Sequence, residues 1–200
     1  MNNKEIDVII QRIDRWYGRL SDLLIYNQIK FSARFGWSKE PTRFDDRMSL
    51  NYKPIDEGEA WAKKWESAWF HLEGDIPKDW IGKTIAANLD FSGEGLVYNI
   101  HGKALQGITN ASIWDSNFAR TRVILFDNYK GGENIELWVE TAANSLFGVF
   151  TDTDPKEDSP KRHGWVNAKV ETMRFGIFDV ELWHLYLDAR ILLGFVKRLD

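Results

Sequence analysis

The spacing of apolar residues is regular at the start of the chain and becomes irregular before residue 60. From Ile6 to Leu24, apolar residues recur at intervals of three and four, and charged residues lie mostly between them. This spacing predicts an amphipathic helix, which we place over residues 3–30. Residues 31–60 contain proline, glycine and acids without a sustained period. We interpret them as an irregular connection that wraps around the rest of the chain.

Short alternating segments separated by Gly, Asn and Asp turns follow from about residue 67. Segments with this rhythm are typical of antiparallel strands in a sandwich or barrel. We therefore predict a mainly β fold, with an antiparallel β-sandwich flanked by N- and C-terminal helices. The strand candidates are residues 67–76, 83–91, 95–100, 120–129, 133–144 and 164–176. The polar, proline-containing residues 151–161 predict an exposed loop.

The last segment is helical again, and Asp179 is placed to cap its first turn. The resulting layout has three parts: residues 1–54 as N-terminal helix and wrapping segment, 55–176 as β-sandwich domain, and 177–200 as C-terminal helix. The final helix is expected to reach Asp200, which we interpret as a cut within a longer protein.

Composition narrows the classes of function. The chain of 200 residues carries a net charge of −4, which gives no electrostatic case for nucleic acid or an anionic membrane surface. Its apolar runs are far shorter than a membrane span. It has no cysteine, so disulfides and thiol catalysis are excluded, and a reducing cytoplasm is the expected location. Ten tryptophans are unusual, and such enrichment favours β-structure or contact with a carbohydrate.

The residues that carry catalysis or bind metals show no convincing arrangement. None of the four histidines has a second His or Cys at ligand spacing. His184 and Asp188 are four residues apart and could share a metal-binding face, although a packing face is the better interpretation. A glycosidase needs two facing carboxyl groups, and the sequence pairs none of its acids. The acids considered are Glu94, Asp115, Glu136 and Glu140. We predict no catalytic residue, no metal and no cofactor within this chain.

One group of residues suits a sugar ligand. Trp114 lies in a polar, turn-rich stretch with Asp115 and Asn117, so its ring can stack on a pyranose while the polar groups bind hydroxyls. The hairpin from Tyr98 to His101 is expected to lie nearby and completes the candidate site. The alternative, a Trp114 folded onto the edge of the sandwich, is the interpretation we favour.

Trp61, Trp65 and Trp69 are spaced by four residues. Residues four apart share a face on a helix and also on a strand, so the spacing does not decide their role. A helix stripe, a sugar-stacking platform and the end of a sandwich core all remain open.

Four motifs in order resemble one family. The chain is similar to the N-terminal region of glycoside hydrolase family 38 α-mannosidases of the cytosolic and bacterial type. The motifs are AWAKKWESAWF at 60–70, IPKDWIGK at 76–83, GEGLVYNIHGKALQG at 93–107, and ETAANSLFG at 140–148. The resemblance covers roughly residues 55–200.

This resemblance carries further expectations. It implies a jelly-roll sandwich similar to galactose-binding-like domains, in which Trp61 and Trp65 plug the end or edge, and Trp69 and Phe70 face opposite layers. The full enzyme would be a zinc-dependent retaining exo-mannosidase that acts on α-linked mannose. The family's His-x-Asp zinc motif does not occur in this sequence. We therefore expect a non-catalytic domain without its own activity.

The expected partners also follow from the resemblance. They are the protein's own C-terminal catalytic domain, a second copy in a homo-oligomer, and mannose-containing glycans reached through the parent enzyme. A carbohydrate-binding module with a working sugar site is the main alternative. An independent enzyme is a third, and it would need convergent acids or a metal that the sequence does not show.

Overall fold

The computed structural model describes residues 3–63, 65–109, 119–144 and 168–196. Ten β-strands and two α-helices occur in these residues. In chain order they are α1 (Asn3–Leu23), β1 (Ile25–Lys30), β2 (Ser32–Ser38), β3 (Tyr52–Pro54), β4 (Ser67–Gly74), β5 (Ile85–Asp90), β6 (Glu94–Asn99), β7 (Ala104–Thr109), β8 (Arg122–Phe126), β9 (Ile135–Ala142), β10 (Thr172–Phe178) and α2 (Val180–Val196). Within the described parts of the chain, no helix is long and apolar enough to cross a membrane.

The strands form two antiparallel sheets. One has four strands in the order β1-β10-β5-β8, and the other has six in the order β3-β2-β4-β9-β6-β7. From β4 to β10 the chain passes repeatedly from one sheet to the other, and only β6 and β7 pair as consecutive strands within this stretch. The predicted mainly β sandwich with helices at both ends is confirmed.

The core lies between the two sheets because every second side chain of the inner strands points inward. Ile85 and Leu89 of β5 and Phe175 of β10 come from the smaller sheet, and all three are fully buried. Phe70 and Val139 face them from the larger sheet. The Phe70 ring lies 4.4 Å from Phe91 and 5.7 Å from Phe35 between ring centroids, so aromatic packing fills the centre of the sandwich.

A third layer covers the outer face of the six-stranded sheet. Trp69 alternates with core residues along β4 and points away from the core, yet it is only 1% exposed. The segment between β2 and β3 forms a short 3-10 helix, Phe44–Ser49, over this face. Trp69 Nε1 donates to the carbonyl oxygen of Thr42 at 2.8 Å, so the wrapping segment both buries the ring and satisfies its polar atom.

The two helices cover the outer face of the four-stranded sheet. Leu20, Leu24, Phe178 and Tyr186 form a second apolar cluster there, and the Tyr17 ring stacks on Tyr186 at 4.5 Å. The predicted cap at the start of α2 is confirmed, because Asp179 Oδ1 accepts from the backbone N–H of Leu182 at 2.9 Å.

The tryptophan cluster divides into different environments. Trp61 is buried at the end of the core, where Nε1 donates to the carbonyl of Phe91 at 2.9 Å, so the predicted plug is confirmed. Trp69 and Phe70 face opposite sides of the sheet, as predicted. The prediction for Trp65 is wrong, because it is 42% exposed in a turn with a φ of 71°.

Two element predictions need correction. The N-terminal helix ends at Leu23, and residues 25–30, predicted as its continuation, form strand β1. Residues 31–60, predicted to be irregular, contain β2 and β3 as well as the wrapping 3-10 helix. The predicted loop 151–161 and the last four residues, predicted as helix, lie outside the described residues. The division of the chain at residues 54 and 176 stays a prediction, although strands before residue 54 pair with strands after it.

Candidate functional site

The structure describes two of the five residues predicted to bind a sugar. Tyr98 lies in β6, and His101 lies in the turn that joins β6 to β7. Trp114, Asp115 and Asn117 lie outside the described residues. Whether the five residues form one site therefore stays a prediction.

Tyr98 belongs to a packed group on the outer face of the six-stranded sheet. Its ring centroid is 5.3 Å from that of Phe44 and 5.4 Å from that of Trp69. Its hydroxyl donates to Glu140 Oε2 at 3.3 Å. Burial, followed by the charge of Glu140, raises the pKa of the Tyr98 hydroxyl above its ordinary value. The rings of Phe44 and Trp69 both pack against Tyr98, which favours a structural role for this side chain.

His101 is exposed, and its turn is held by Asn99. The Asn99 Oδ1 atom accepts from the backbone N–H groups of His101 and Lys103, each at 3.0 Å. Gly102 has a φ of 77°, a conformation that glycine adopts without a Cβ penalty. The turn therefore presents the His101 side chain to solvent while Tyr98 remains under the wrapping segment.

The packed group on this face extends around an arginine. We call Phe44, Arg47, Tyr52, Trp69, Tyr98 and Trp138 the outer aromatic cluster. The Arg47 guanidinium carbon lies 3.6 Å from the Phe44 ring centroid and 4.4 Å from the Trp138 ring centroid. Such cation–π contacts are stabilising when the cation is desolvated. Arg47 Nε is buried and has no hydrogen-bond partner among the described residues.

The three described acids among those considered for glycoside hydrolysis each contact a different neighbour. Glu136 Oε1 lies 2.9 Å from His71 Nε2, and Glu94 Oε2 accepts from Asn144 Nδ2 at 2.5 Å. Burial raises the pKa of Glu140, and the hydrogen bond from Tyr98 partly opposes this effect. Asp115 lies outside the described residues.

Metal binding can be tested on the described residues. They contain no group of three or more His, Cys, Asp or Glu side chains that could hold a metal ion. The pair His184 and Asp188, four residues apart on α2, therefore has no third such ligand among them. The described residues therefore do not fit a zinc site, and the family resemblance implies zinc for the full enzyme and not for this chain.

The helical face carries a large apolar surface beside the residues that pack on the sheet. Most side chains of helix α2 are apolar, but its buried side chains are Tyr186 and Leu193. We define the exposed apolar side chains of the two helices as the helical apolar surface. They are Val8, Ile9, Ile13, Trp16 and Leu23 on α1, and Val180, Leu185, Ile191, Leu192, Phe195 and Val196 on α2.

A cleft of about 800 Å³ lies between the helices and the β8 edge of the smaller sheet. We call it the arginine cleft because Arg120, Arg122 and Arg190 line it together with Trp183. Arg122 and Ile124 point toward the helices because Val123 between them faces the core. Three strands and both helices therefore contribute to one concave surface of mixed apolar and cationic character.

Comparisons with known proteins agree with this architecture. A family profile described as "Alpha-mannosidase, jelly roll domain" matches residues 28–170. The chain is 32% identical over 160 residues to Alpha-mannosidase G of Dictyostelium discoideum, which covers 74% of this chain and 14% of that protein. It is 24% identical over 158 residues to human Alpha-mannosidase 2C1, with 78% of this chain and 14% of that protein covered.

Fold and comparisons together define the class. The two antiparallel sheets, with the chain passing between them, make this a jelly-roll β-sandwich. The chain belongs to the jelly-roll domain family of α-mannosidases, and the resemblance noted in the sequence is confirmed. It spans about 14% of the length of the relatives it matches.

Sequence reasoning did not find the arginine cleft. Arg122 lies in a predicted strand next to core residue Val123, so alternation could have placed its side chain on the outer face. Arg190 lies on α2, more than sixty residues further along the chain. Only the packing of α2 on the sheet brings these two residues into one cleft.

Proposed function

We propose that this chain is a non-catalytic domain of a larger α-mannosidase and docks onto the remainder of that enzyme through the helical apolar surface. Membership of the jelly-roll family supports the domain assignment. The relatives carry the name α-mannosidase and are about seven times as long as the matched region, which covers 14% of each. The exposed apolar side chains on both helices are the observation that carries the docking role.

The size of this surface argues for a protein partner. Leu192 is 64% exposed and Phe195 is 65% exposed, although both are large apolar side chains. Contiguous exposed apolar patches mark interaction sites in soluble proteins. The two sheets bury each other's inner faces, and eleven of the exposed large apolar side chains lie on the two helices. A catalytic domain is the partner that the family membership supports.

We assign catalysis to the part of the α-mannosidase that lies outside this chain. By resemblance, the parent enzyme is a zinc-dependent retaining enzyme that hydrolyses α-linked mannose in the cytoplasm. Since the described residues offer no group of three metal ligands, we assign the zinc to the catalytic domain. Mannose-containing glycans are then partners of the whole enzyme. Homo-oligomer formation is a separate possibility that the docking test can distinguish.

The test compares one double variant in two contexts. In the isolated 200-residue chain, Leu192→Lys with Phe195→Lys should leave the Tm within about 2 °C, because exposed side chains contribute little to stability. In an α-mannosidase that contains this chain, the same double variant should lower the Tm or release this domain from its contact with the rest of the enzyme. Ile81→Lys is the matched control, because Ile81 is similarly exposed but lies outside the helices.

Two outcomes would contradict the docking role. One is an unchanged Tm for the double variant in the longer enzyme. The other is a dimer of the isolated chain, measured by analytical ultracentrifugation, that the double variant converts to monomer. That second result would assign the helical apolar surface to contact between two copies of the chain.

The sugar-binding alternative has its own test. The chain is titrated with mannose and α-mannobiose while NMR follows the indole N–H signals of its ten tryptophans. For a packing domain we expect no saturable shift up to tens of millimolar, where a site with a Kd of ~1 mM would fill. A saturable shift in one or two indoles would instead support a carbohydrate-binding module. Release of the phenol from an aryl α-mannoside by the metal-supplemented chain would support an independent enzyme.

A further inference from the structure

The arginine cleft has the size and lining of a small-molecule site. Its volume of about 800 Å³ lies within the range of ordinary ligand pockets, roughly 300–1,000 Å³. Trp183 and Tyr186 of α2 and Ile124 of β8 supply apolar walls. Three arginines bring the positive charge, and Ser21 and Gln106 add polar side chains to the lining.

The central guanidinium, that of Arg122, is held in place by contacts that include no carboxylate of the described residues. Its Nη1 donates to Ser21 Oγ at 3.3 Å, and its central carbon lies 5.3 Å from the Trp183 ring centroid. The backbone below it is fixed as well, because Gln106 Nε2 donates to the Arg122 carbonyl at 2.7 Å. A guanidinium carries five N–H donors, and among the described residues one of those on Arg122 has a hydrogen-bond partner, so the others are available there to a ligand.

The charge of the cleft is not neutralised within the described parts of the chain. There, neither Arg122 nor Arg120 nor Arg190 forms an ion pair with a carboxylate. Asp22 lines a smaller adjoining cleft of about 310 Å³ without reaching ion-pair distance of Arg122. Burial lowers the pKa of Arg122 below its ordinary value, which is the effect of desolvating a cation. An uncompensated, partly buried charge is unfavourable unless a counter-charge binds.

We propose that the arginine cleft binds a small molecule with an oxyanion group, a phosphate or a carboxylate, whose oxygens contact Arg122 and whose apolar part lies against Trp183. Guanidinium groups suit such ligands because their donors match two oxygens of a carboxylate or phosphate at once. Arg120 and Arg190 add charge at the same concave surface. This site is independent of the docking role, since its lining shares no residue with the helical apolar surface.

The test is an NMR titration of the 200-residue chain with inorganic phosphate and, separately, with acetate. The readout is the indole N–H of Trp183, which is assigned by its disappearance in Trp183→Phe. Sodium chloride keeps the ionic strength constant, so that general screening of charge does not change. We expect a saturable shift with a Kd of about 1–10 mM for the better anion. Tighter binding of phosphate would identify a phosphate ester as the natural group, and tighter binding of acetate would identify a carboxylate.

Three variants decide whether the arginines are responsible. Arg122→Gln should weaken anion binding at least about tenfold, because it removes the charged donor at the centre of the cleft. Arg190→Gln should weaken it by about threefold or more, and it tests the cleft from an independent element if Arg122→Gln does not fold. Arg34→Gln removes an exposed arginine from the six-stranded sheet and should change the Kd by less than about twofold.

Two results would overturn the proposal. The first is the absence of a saturable Trp183 shift up to about 50 mM of either anion. The second is an equal loss of affinity in Arg34→Gln and Arg122→Gln, which would show that the anions respond to net charge and not to this cleft.

Discussion

Glu57 joins three separate segments of the chain through one carboxylate. Arg174 of β10 donates two hydrogen bonds to Glu57, from Nε to Oε1 at 2.8 Å and from Nη2 to Oε2 at 2.7 Å. The backbone N–H of Met173 donates to Oε1 at 3.0 Å, and Lys30 Nζ of β1 lies 3.6 Å from Oε2. The Glu57 side chain is only 12% exposed. Because β1 and β10 are paired strands, this carboxylate fastens the end of the wrapping segment to the smaller sheet.

The pKa of Glu57 gives the expected magnitude. The hydrogen bonds from Arg174, then that from Met173, lower it from 4.5 to about 2 against the opposing effect of burial. At about 1.36 kcal/mol for each pKa unit, this difference corresponds to at most about 3.4 kcal/mol. Arg174 is 40% exposed, so solvent screens part of the attraction, and we expect roughly 1.5–2 kcal/mol.

The sign follows from proton linkage. The pKa of Glu57 is lower in the folded than in the unfolded chain, so its contribution is present above about pH 4.5 and is lost as the pH falls toward about 2. We therefore expect Glu57→Gln to lower the free energy of unfolding by about 1.5–2 kcal/mol at pH 7. At pH 3 the difference between the variant and the parent should shrink to less than about half of that value.

Urea denaturation at the two pH values measures both differences. Glu133→Gln is the control, because Glu133 is an exposed acid and its loss should change the free energy of unfolding by less than about 0.5 kcal/mol. A Glu57→Gln variant as stable as the parent at pH 7 would refute the reasoning, and so would a difference that is the same at pH 7 and pH 3. Either result would place this contact among surface ion pairs that contribute nothing measurable.

Three further predictions concern the aromatic layers and the last helix. Trp69→Ala or Phe70→Ala should each lower the free energy of unfolding by about 3–5 kcal/mol, and an unchanged Tm would contradict their buried roles. Asp179→Ala removes the acceptor of the Leu182 N–H and should lower stability by about 1 kcal/mol in urea denaturation; no loss would argue against the cap. Burial raises the pKa of Glu140 in the folded protein. The free energy of unfolding therefore falls as the pH rises and Glu140 loses its proton. Glu140→Gln should therefore become more stable relative to the parent between pH 4 and pH 7, and a constant difference would contradict this assignment.

The strands that form the centre of both sheets were predictable from the sequence. Residues 83–91 form a short, mostly apolar segment and residues 133–144 largely alternate; both end at turn-forming residues, and β5 and β9 lie within them. The N-terminal region was not predictable in the same way. Ile25 and Ile29 continue the helical spacing of α1, but they also fit a strand with a bulge between Tyr26 and Ile29. Pairing with β10, a contact across about 150 residues, decides between the two.

The candidate site shows a related difficulty. The predicted hairpin from Tyr98 to His101 exists, but its tyrosine packs under a segment that precedes it by fifty residues in the chain. The sequence shows that Tyr98 lies in a strand, and only tertiary packing determines whether the ring is available to a ligand. The arginine cleft is likewise formed by side chains from elements that are distant in the chain, so no local spacing in the sequence predicts it.

The burial of Trp69 explains why this sandwich contains so many aromatic residues. An antiparallel sheet with one solvated face alternates apolar and polar side chains, yet the outward positions of β4 and β9 carry Trp69 and Trp138. Such residues are favourable only if another layer covers them, and the 3-10 helix with Phe44 and Arg47 provides that layer. On the opposite side, α1 and α2 cover the smaller sheet. Large aromatic residues at outward strand positions therefore indicate a covered face, and in this chain they indicate that the wrapping segment is part of the folded domain.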